Sequence, residues 1–165
     1  MPSNLFRSLA LPPSLQERLV ALSFSEPTPV QLEAIPAALK GKDILASSAT
    51  GSGKTLAYLL PLLTHLKEHP EAKALILLPT REIALQVRDV LKNLVGPLKG
   101  FHPTLLIGGV SFSKQLLILK RNPNIFIGTP GRICDHLERG SLSFKAVDFF
   151  VLDEVDRMLD MGFTK

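Results

Sequence analysis

The sequence predicts an α/β fold, with a mostly parallel sheet and helices on both of its faces. From residue 43 onward, short apolar runs alternate with amphipathic stretches. The apolar runs are nearly continuous, as expected of strands covered on both faces. The chain has 165 residues, of which 45% are hydrophobic, enough to bury the core of one domain.

The predicted elements follow one another at regular intervals. Two helices precede the sheet: residues 14–22, with Ser14 as N-cap, and residues 29–39, which include Pro36. A loop rich in Gly and Pro near residues 96–103 marks no domain boundary, because the alternation of strand and helix resumes after it. The predicted strands are 43–47, 74–79, 104–108, 125–129 and 148–153, and the helices between them are 54–65, 81–94, 111–119 and 132–139.

Composition narrows the class of protein. No apolar run approaches the roughly 18 residues of a membrane span, and the first residues lack the pattern of a secretion signal, so we expect a cytoplasmic protein without a membrane partner. The single cysteine, Cys134, cannot form an internal disulfide and is predicted to be a small core residue. The net charge of +4 favours a polyanionic partner without identifying one.

Residues 48–55, SATGSGKT, predict a phosphate-binding loop, because they follow a predicted strand and open a predicted helix. Glycines let successive N–H groups point at phosphate oxygens at a helix N-terminus. Lys54 is expected to reach the β- and γ-phosphates, and Thr55 to offer its hydroxyl to Mg²⁺. The full pattern has Gly where this chain has Ser48, and a glycine-rich turn that binds nothing is the alternative. The predicted loop residues are Ser48, Ala49, Thr50, Gly51, Ser52, Gly53, Lys54 and Thr55.

Two carboxylates end the last predicted strand. Asp153 is placed to hold Mg²⁺, and Glu154 to orient and deprotonate the attacking water. With Lys54 they form the predicted catalytic set. Asp156 either caps the following helix or contacts another motif, and a solvated acidic turn is the alternative for the whole segment.

Taken in order, these motifs resemble the DEAD-box family of RNA helicases over nearly the whole chain. Residues 24–31 look like the Q motif, in which Gln31 would read the adenine edge, since an amide both donates and accepts. The resemblance implies a RecA-like P-loop fold, with a Q-motif region at 1–40 and an ATP-binding lobe at 41–165. The adenine-side residues it implies are Phe6, Phe24, Thr28 and Gln31. Phe6 could equally be an ordinary core residue.

Other motifs of the resemblance imply RNA binding, single-stranded or duplex. Residues 79–84 are similar to motif Ia, Gly108 and Gly109 to the GG motif, and residues 129–132 to motif Ib. Each motif is expected to contact the phosphates of RNA rather than its bases. A capping or solvated role is the alternative for each arginine. The implied RNA-binding residues are Pro79, Thr80, Arg81, Glu82, Gly108, Gly109, Thr129, Pro130, Gly131 and Arg132.

Two departures from the family have consequences. Val155 replaces the usual Ala after the acidic pair, and overpacking there would cost on the order of 1 to 3 kcal/mol. The family's second lobe, which would act in cis, has no counterpart before Lys165, so we expect almost no hydrolysis from these residues alone. In related ATPases the strand that carries Ser-Ala-Thr lies between the phosphate-loop strand and the strand that ends at Asp153, so its absence predicts a gap near the centre of the sheet. Either the fragment pairs its sheet edges directly, or an oligomer fills the gap by strand exchange between copies.

Alternatives to a helicase remain open. One is an ATP-dependent RNA clamp or remodelling factor with little unwinding, and another is a different P-loop ATPase. His65 and His69, spaced as two metal ligands on one helix face, are more simply a solvated helix end.

Overall fold

The computed structural model describes residues 5–163, which fold into seven α-helices, a short 3-10 helix and four strands. Two of the helices come before the phosphate loop, and the others alternate with the strands. In chain order the elements are the 3-10 helix Leu5–Ser8, α1 Pro13–Ala21, α2 Pro29–Leu39, α3 Lys54–Glu68, β1 Lys73–Leu77, α4 Arg81–Val95, β2 Pro103–Leu106, α5 Phe112–Leu119, β3 Ile125–Gly128, α6 Pro130–Glu138, β4 Val147–Leu152 and α7 Val155–Asp160.

The four strands form one parallel sheet in the order β2-β3-β1-β4. β1 lies inside the sheet, with Leu75 opposite Phe126 on one side and Phe150 on the other. All four strands run in the same direction, so their carboxyl ends meet along one edge. The predicted parallel α/β fold is confirmed.

Helices cover both faces of the sheet, as predicted. On β1, Ala74 and Ile76 pack into the larger core, which includes residues of α3 and α4. Leu75 points to the other face, where it packs with Phe126 and with Ile133 of α6. This alternation follows from the two-residue period of a strand.

The predicted strand 43–47 is wrong. These residues are exposed, and they pair with no strand among residues 5–163. A strand needs a hydrogen-bonded neighbour. Here a cavity of about 570 Å³ separates the segment from the open edge of β4, with Ile44 and Phe150 among its lining residues. The cavity lies where the sequence predicted a gap, between segment 43–47 and β4.

Two local predictions are also wrong. Helix α1 begins one residue early, after Pro12, and the Ser14 hydroxyl accepts a 2.6 Å hydrogen bond from Lys67 instead of capping the helix. Cys134 is exposed on α6 rather than buried in the core. In α6 the buried positions are Ile133 and His136, which leaves Cys134 on the solvent side. Helix α2, by contrast, has the predicted bounds.

Candidate functional site: a phosphate loop and an adjoining strand-end surface

The predicted site residues gather at the carboxyl edge of the sheet, where ligands bind in parallel α/β folds. β1 leads to Thr80, the N-cap of α4, and β3 leads to Thr129, the N-cap of α6. β4 leads to Asp153, whose N–H still bonds to Leu77 O of β1 at 3.1 Å. The sheet thus holds these segments side by side.

The phosphate loop turns through two left-handed glycines. Gly51 has φ +82° and Gly53 has φ +92°, a region that side chains other than Gly rarely adopt. Gly53 is also the N-cap of α3, so the free N–H groups of that helix begin at the loop. The Lys54 ammonium donates to the carbonyl oxygens of Ser48 and Ala49. The backbone of the loop therefore curves around the Lys54 ammonium.

Ser48, the departure from the usual glycine, has a local role. Its hydroxyl lies 2.7 Å from that of Ser52, four residues along the same loop. A glycine could not make this hydrogen bond, so the serine pair links the two ends of the turn.

Gln31 ties the Q-motif segment to the phosphate loop. Its amide oxygen accepts from Thr28 N at 3.0 Å, and its amide nitrogen donates to Gly53 O at 2.9 Å. The residue is only 2% exposed. A Cβ on Gly53 would lie 2.5 Å from the amide nitrogen of Gln31 and 2.9 Å from the Thr28 hydroxyl oxygen, so the contact requires glycine. The Thr28 hydroxyl is buried without a hydrogen-bond partner.

The two aromatic residues placed near adenine differ in exposure. Phe24 is partly exposed, whereas Phe6 is 1% exposed and packs in the larger core. For Phe6 the structure therefore favours the core alternative that the sequence left open.

Tyr58 connects the phosphate loop with the acidic strand end. Its hydroxyl donates a 3.1 Å hydrogen bond to Asp153 Oδ2, and Thr55 lies one helical turn earlier on the same helix, α3. Burial, reinforced by the Asp153 carboxylate, raises the pKa of Tyr58 above its ordinary value, so the hydroxyl keeps the proton that it donates. The hydrogen bond thus joins Asp153, one predicted Mg²⁺ ligand, to the helix that begins beside Thr55, the other.

The second carboxylate has its own partners. Glu154 has a left-handed backbone, with φ 53°, and acts as the N-cap residue of α7, a position that Asp156 does not take. Its carboxylate pairs with Arg157 at 3.1 Å. Val155 is 41% exposed, so its side chain is not enclosed in the core and has room beside it.

A second group of residues extends the carboxyl edge away from the phosphate loop. Thr80 Oγ1 accepts from Ile83 N at 3.4 Å and so caps α4. Gly109 has φ +74°, and a Cβ there would overlap the Arg81 guanidinium, which rests on the glycine. The turn that contains Gly109 is therefore covered by the arginine of a different segment.

Arg132 binds the same turn from the other side. Its Nη1 donates to Val110 O at 2.9 Å and to Gln115 Oε1 at 3.0 Å, and its Nε lies 3.5 Å from Asp135. Its side chain is 14% exposed. Its Nη1 group is thus bonded to two protein acceptors, and its Nε faces the Asp135 carboxylate.

The two histidines of the predicted solvated pair lie side by side at the end of α3. The rings of His65 and His69 lie 4.6 Å apart, and His65 Nε2 is 3.1 Å from Asp148. Within residues 5–163, no group of three or more His, Cys, Asp or Glu side chains is arranged to hold a metal ion.

Comparison with known proteins identifies the fold and the motifs. The family model described as DEAD/DEAH box helicase matches residues 28–165. The chain belongs to the DEAD/DEAH box helicase family. A DEAD box protein of the hyperthermophile Methanococcus jannaschii has a crystal structure that superposes with a TM-score of 0.90 at 41% identity, covering 96% of this chain and 44% of that one.

Curated members of the DEAD-box family agree with this assignment. The DEAD-box ATP-dependent RNA helicase CshA of Bacillus cereus is 44% identical over 159 residues, and the ATP-dependent RNA helicase DeaD of Escherichia coli is 44% identical over 161. Each alignment covers 96% of this chain. The chain spans only 30% and 25% of the lengths of these two relatives.

Three residues of this DEAD-box domain were missed by sequence reasoning. Tyr58 stands one helical turn after the phosphate loop, a spacing that could have suggested its position beside Thr55. Gln115 and His136 carry no local signal, because their partners come from distant parts of the chain.

Proposed function

We propose that this chain is the ATP-binding N-terminal lobe of an ATP-dependent RNA helicase. The parent protein would hydrolyse ATP under RNA stimulation and separate short duplexes. The observation that carries the proposal is the 3.1 Å hydrogen bond of Tyr58 to Asp153, because it joins helix α3, which the phosphate loop opens, to the acidic strand end. The names of the relatives support the same function. We assign residues 1–40 to the Q-motif region and 41–165 to the lobe proper.

Several features support ATP at residues 48–55. The left-handed glycines form a turn at the N-terminus of α3 that suits an anion. The buried Thr28 hydroxyl lacks a partner beside Gly53, so it is available to a ligand. Gln31 keeps one N–H and one lone pair beyond its two observed bonds, which supports contact with adenine together with the exposed Phe24.

Lys54 would exchange the loop carbonyls for phosphate oxygens when nucleotide binds. The carbonyls of Ser48 and Ala49 are weaker partners for an ammonium than a charged phosphate. This exchange would open the loop and place the lysine charge beside the β- and γ-phosphates.

Thr55 and Asp153 fit Mg²⁺, since both offer oxygen atoms and Tyr58, one turn after Thr55 on α3, holds the Asp153 carboxylate by a hydrogen bond. When bound, the ion would neutralise charge on the β- and γ-phosphates. Asp153 Oδ1 accepts from Glu154 N at 3.0 Å, which fixes the carboxylate plane. Glu154 would leave Arg157 to orient the attacking water and accept its proton.

Residues 79–82, 108–109 and 129–132 are proposed to contact RNA, and we call them the RNA face. They lie at neighbouring strand ends, and two of the segments open helices whose N–H groups suit phosphates. Contact with phosphate and sugar would bind a strand without reading its sequence, and the 2′-hydroxyl would distinguish RNA from DNA. Because Arg132 is largely bound to protein atoms, we propose that it supports this face more than it neutralises phosphate.

A second lobe is proposed to complete the site. In related ATPases an arginine from outside the phosphate-loop domain can contribute about 10³- to 10⁵-fold to turnover. The 165-residue chain alone should therefore bind nucleotide and hydrolyse almost none of it. No helix within residues 5–163 has the length and apolarity to cross a membrane, and we propose a cytoplasmic location.

We also propose that the cavity beside β4 accepts a β-strand from a second copy of this chain. The open edge of β4 and the unpaired segment 43–47 flank the cavity, and exposed strand edges recruit other chains. Light scattering across a concentration series should show dimers or larger species. A monomer at every concentration would contradict strand uptake between copies.

An ATP-dependent RNA clamp is the second candidate function. Arg81 packs against Gly109, and Arg132 hydrogen-bonds Val110 O of the same turn. These contacts favour a rigid RNA face, which suits stable RNA binding as well as unwinding. In the full-length protein, strand displacement that accompanies RNA-stimulated ATP hydrolysis would support the helicase. Hydrolysis with stable RNA binding but no displacement would support the clamp.

A further inference from the structure

A buried polar cluster lies behind the RNA face and has no part in ATP binding. Gln115 of α5 is 1% exposed and His136 of α6 is 0% exposed. Burying such groups is costly unless their hydrogen bonds are made. The cluster is therefore held in place by its internal bonds.

Every polar atom of the Gln115 amide has a partner. Nε2 donates to Ile107 O at 2.8 Å. Oε1 accepts from Arg132 Nη1 at 3.0 Å and from His136 Nε2 at 2.9 Å. Rotating the amide would bring its N–H₂ group against two donors, so the network allows only one orientation.

This orientation also requires a hydrogen on Nε2 of His136, which donates to Gln115 Oε1. In the neutral ring Nδ1 is then an acceptor, 2.8 Å from Ser141 Oγ, whose single proton also faces the His136 carbonyl oxygen at 3.0 Å. Burial, with a smaller effect of Arg132, lowers the pKa of His136 and favours the neutral ring. The Phe112 ring stacks on the imidazole, with 4.3 Å between the ring centroids and an interplanar angle of 15°. This contact restricts rotation of the His136 ring.

The cluster acts on the RNA face through Arg132. A single nitrogen of Arg132 is shared by Gln115 and by Val110 O of the turn that follows Gly109. Arg81 rests on Gly109 from the motif Ia side. The turn is thus held between two arginines, and Gln115 determines where one of them lies.

We propose that Gln115 and His136 are positioning residues for RNA binding: they hold Arg132 against the Val110 turn and so fix the spacing between the GG turn and the N-terminus of α6. This inference rests on the proposed RNA function. It gives Gln115 of α5 and His136 of α6 a structural role in RNA binding that is separate from contact with phosphates or bases. Neither residue needs to touch RNA.

The test compares Gln115→Met with Gln16→Met in the 165-residue chain. Methionine keeps the length of glutamine and removes its hydrogen bonds. Gln16 donates to Leu9 O and Leu11 O, far along the chain from the RNA face, so its variant controls for lost stability. We expect Gln115→Met to weaken binding of a fluorescent single-stranded RNA by about 3- to 10-fold, as a coupled contact does. Affinity for ATP should stay unchanged, and Gln16→Met should change neither.

A double-mutant cycle asks whether the effect passes through Arg132. In the Arg132→Ala background, Gln115→Met should have almost no further effect on RNA affinity. Additive losses, or unchanged RNA affinity for Gln115→Met alone, would overturn the proposal. If that variant does not fold, His136→Phe replaces it, because it retains an aromatic ring and removes the bonds to Gln115 and Ser141.

A readout without RNA separates this inference from the proposed function. The Arg132 Nε–H signal in a proton–nitrogen spectrum should exchange slowly with water, and about tenfold faster in Gln115→Met but not in Gln16→Met. If RNA fails to bind the unmodified chain while Gln115→Met alone shows faster exchange, the positioning of Arg132 is supported and the proposed RNA function is contradicted. Equal exchange in all three proteins would overturn the positioning itself.

Discussion

The hydroxyl of Tyr58 donates a 3.1 Å hydrogen bond to Oδ2 of Asp153, across 95 residues of chain. Thr55 lies one helical turn before Tyr58 on α3. The hydrogen bond therefore holds the Asp153 carboxylate, at the end of β4, beside the helix that begins at the phosphate loop. It fixes the position of one oxygen ligand of the proposed Mg²⁺ site.

Replacing Tyr58 by Phe tests that preparation. Without the hydroxyl, Asp153 loses its hydrogen bond to helix α3, and we expect Mg²⁺-dependent ADP binding to weaken by about 3- to 10-fold, the effect of losing one hydrogen bond to a charged group. Fluorescence titration with and without EDTA measures this. Binding in EDTA should be the same for both proteins. An equal loss in EDTA would mean that Tyr58 acts on the loop and not on the metal ligands.

Gly53→Ala should damage the phosphate loop. Its φ of +92° disfavours a side chain, and the added Cβ would press on the Gln31 amide and the Thr28 hydroxyl. We expect a loss of about 1 to 3 kcal/mol of unfolding free energy, measured by urea denaturation, and weaker ATP binding. Gly100→Ala is the matched control, because its φ is also +92° but no atom lies within 4 Å of the new Cβ. Equal costs at both positions would contradict the contact between Gly53 and the Q-motif segment.

Val155→Ala should change stability little. The side chain is 41% exposed, and exposed substitutions usually change the unfolding free energy by about 0.5 kcal/mol or less. Urea denaturation of the 165-residue chain measures the difference. A stabilisation above about 1 kcal/mol would show instead that the valine is overpacked.

The stability of the domain should fall between pH 7.5 and 5.5 in a manner that depends on His136. Burial is the main cause that lowers the pKa of His136 in the folded state, and the charges of Arg132 and Arg139 lower it further. The Asp135 carboxylate acts in the opposite direction. The unfolded chain therefore takes up a proton near pH 6.5 before the folded chain does. The stability that His136 contributes is complete above pH 6.5 and is lost as the pH falls toward the folded pKa.

Urea denaturation at the two pH values checks this dependence. His136→Phe should reduce the loss of unfolding free energy on acidification, whereas a substitution at the exposed His102, such as His102→Gln, should not. A His136→Phe protein that loses as much as the unmodified chain would contradict a neutral buried imidazole.

The sequence predicted elements whose signals are local. The 29–39 helix was predicted from adjacent residues alone, and its bounds were confirmed. The segment 43–47 had an equally clear apolar run, yet no neighbouring strand pairs with it among the described residues. Strand formation depends on a partner, which a local pattern does not contain.

The site shows the same division. Glycines and acidic residues in short motifs pointed to the phosphate loop and to Asp153. The contacts that hold the site involve residues far apart in sequence, such as Gln31 with Gly53 and Gln115 with His136. Exposure on short helices was also hard to predict. Cys134 and Val155 are exposed, and on a short helix a shift of one residue in the assumed start moves a side chain to a different face.

Nucleotide titration of the 165-residue chain tests the central claim most directly. With Mg²⁺ present, a fluorescent ATP analogue should bind saturably, and unlabelled ATP should displace it better than GTP. Lys54→Ala should weaken binding by about tenfold or more, because it removes a charge-assisted contact to phosphate. Failure of the unmodified chain to bind, or equal affinity of the Lys54→Ala variant, would contradict an ATP site at residues 48–55.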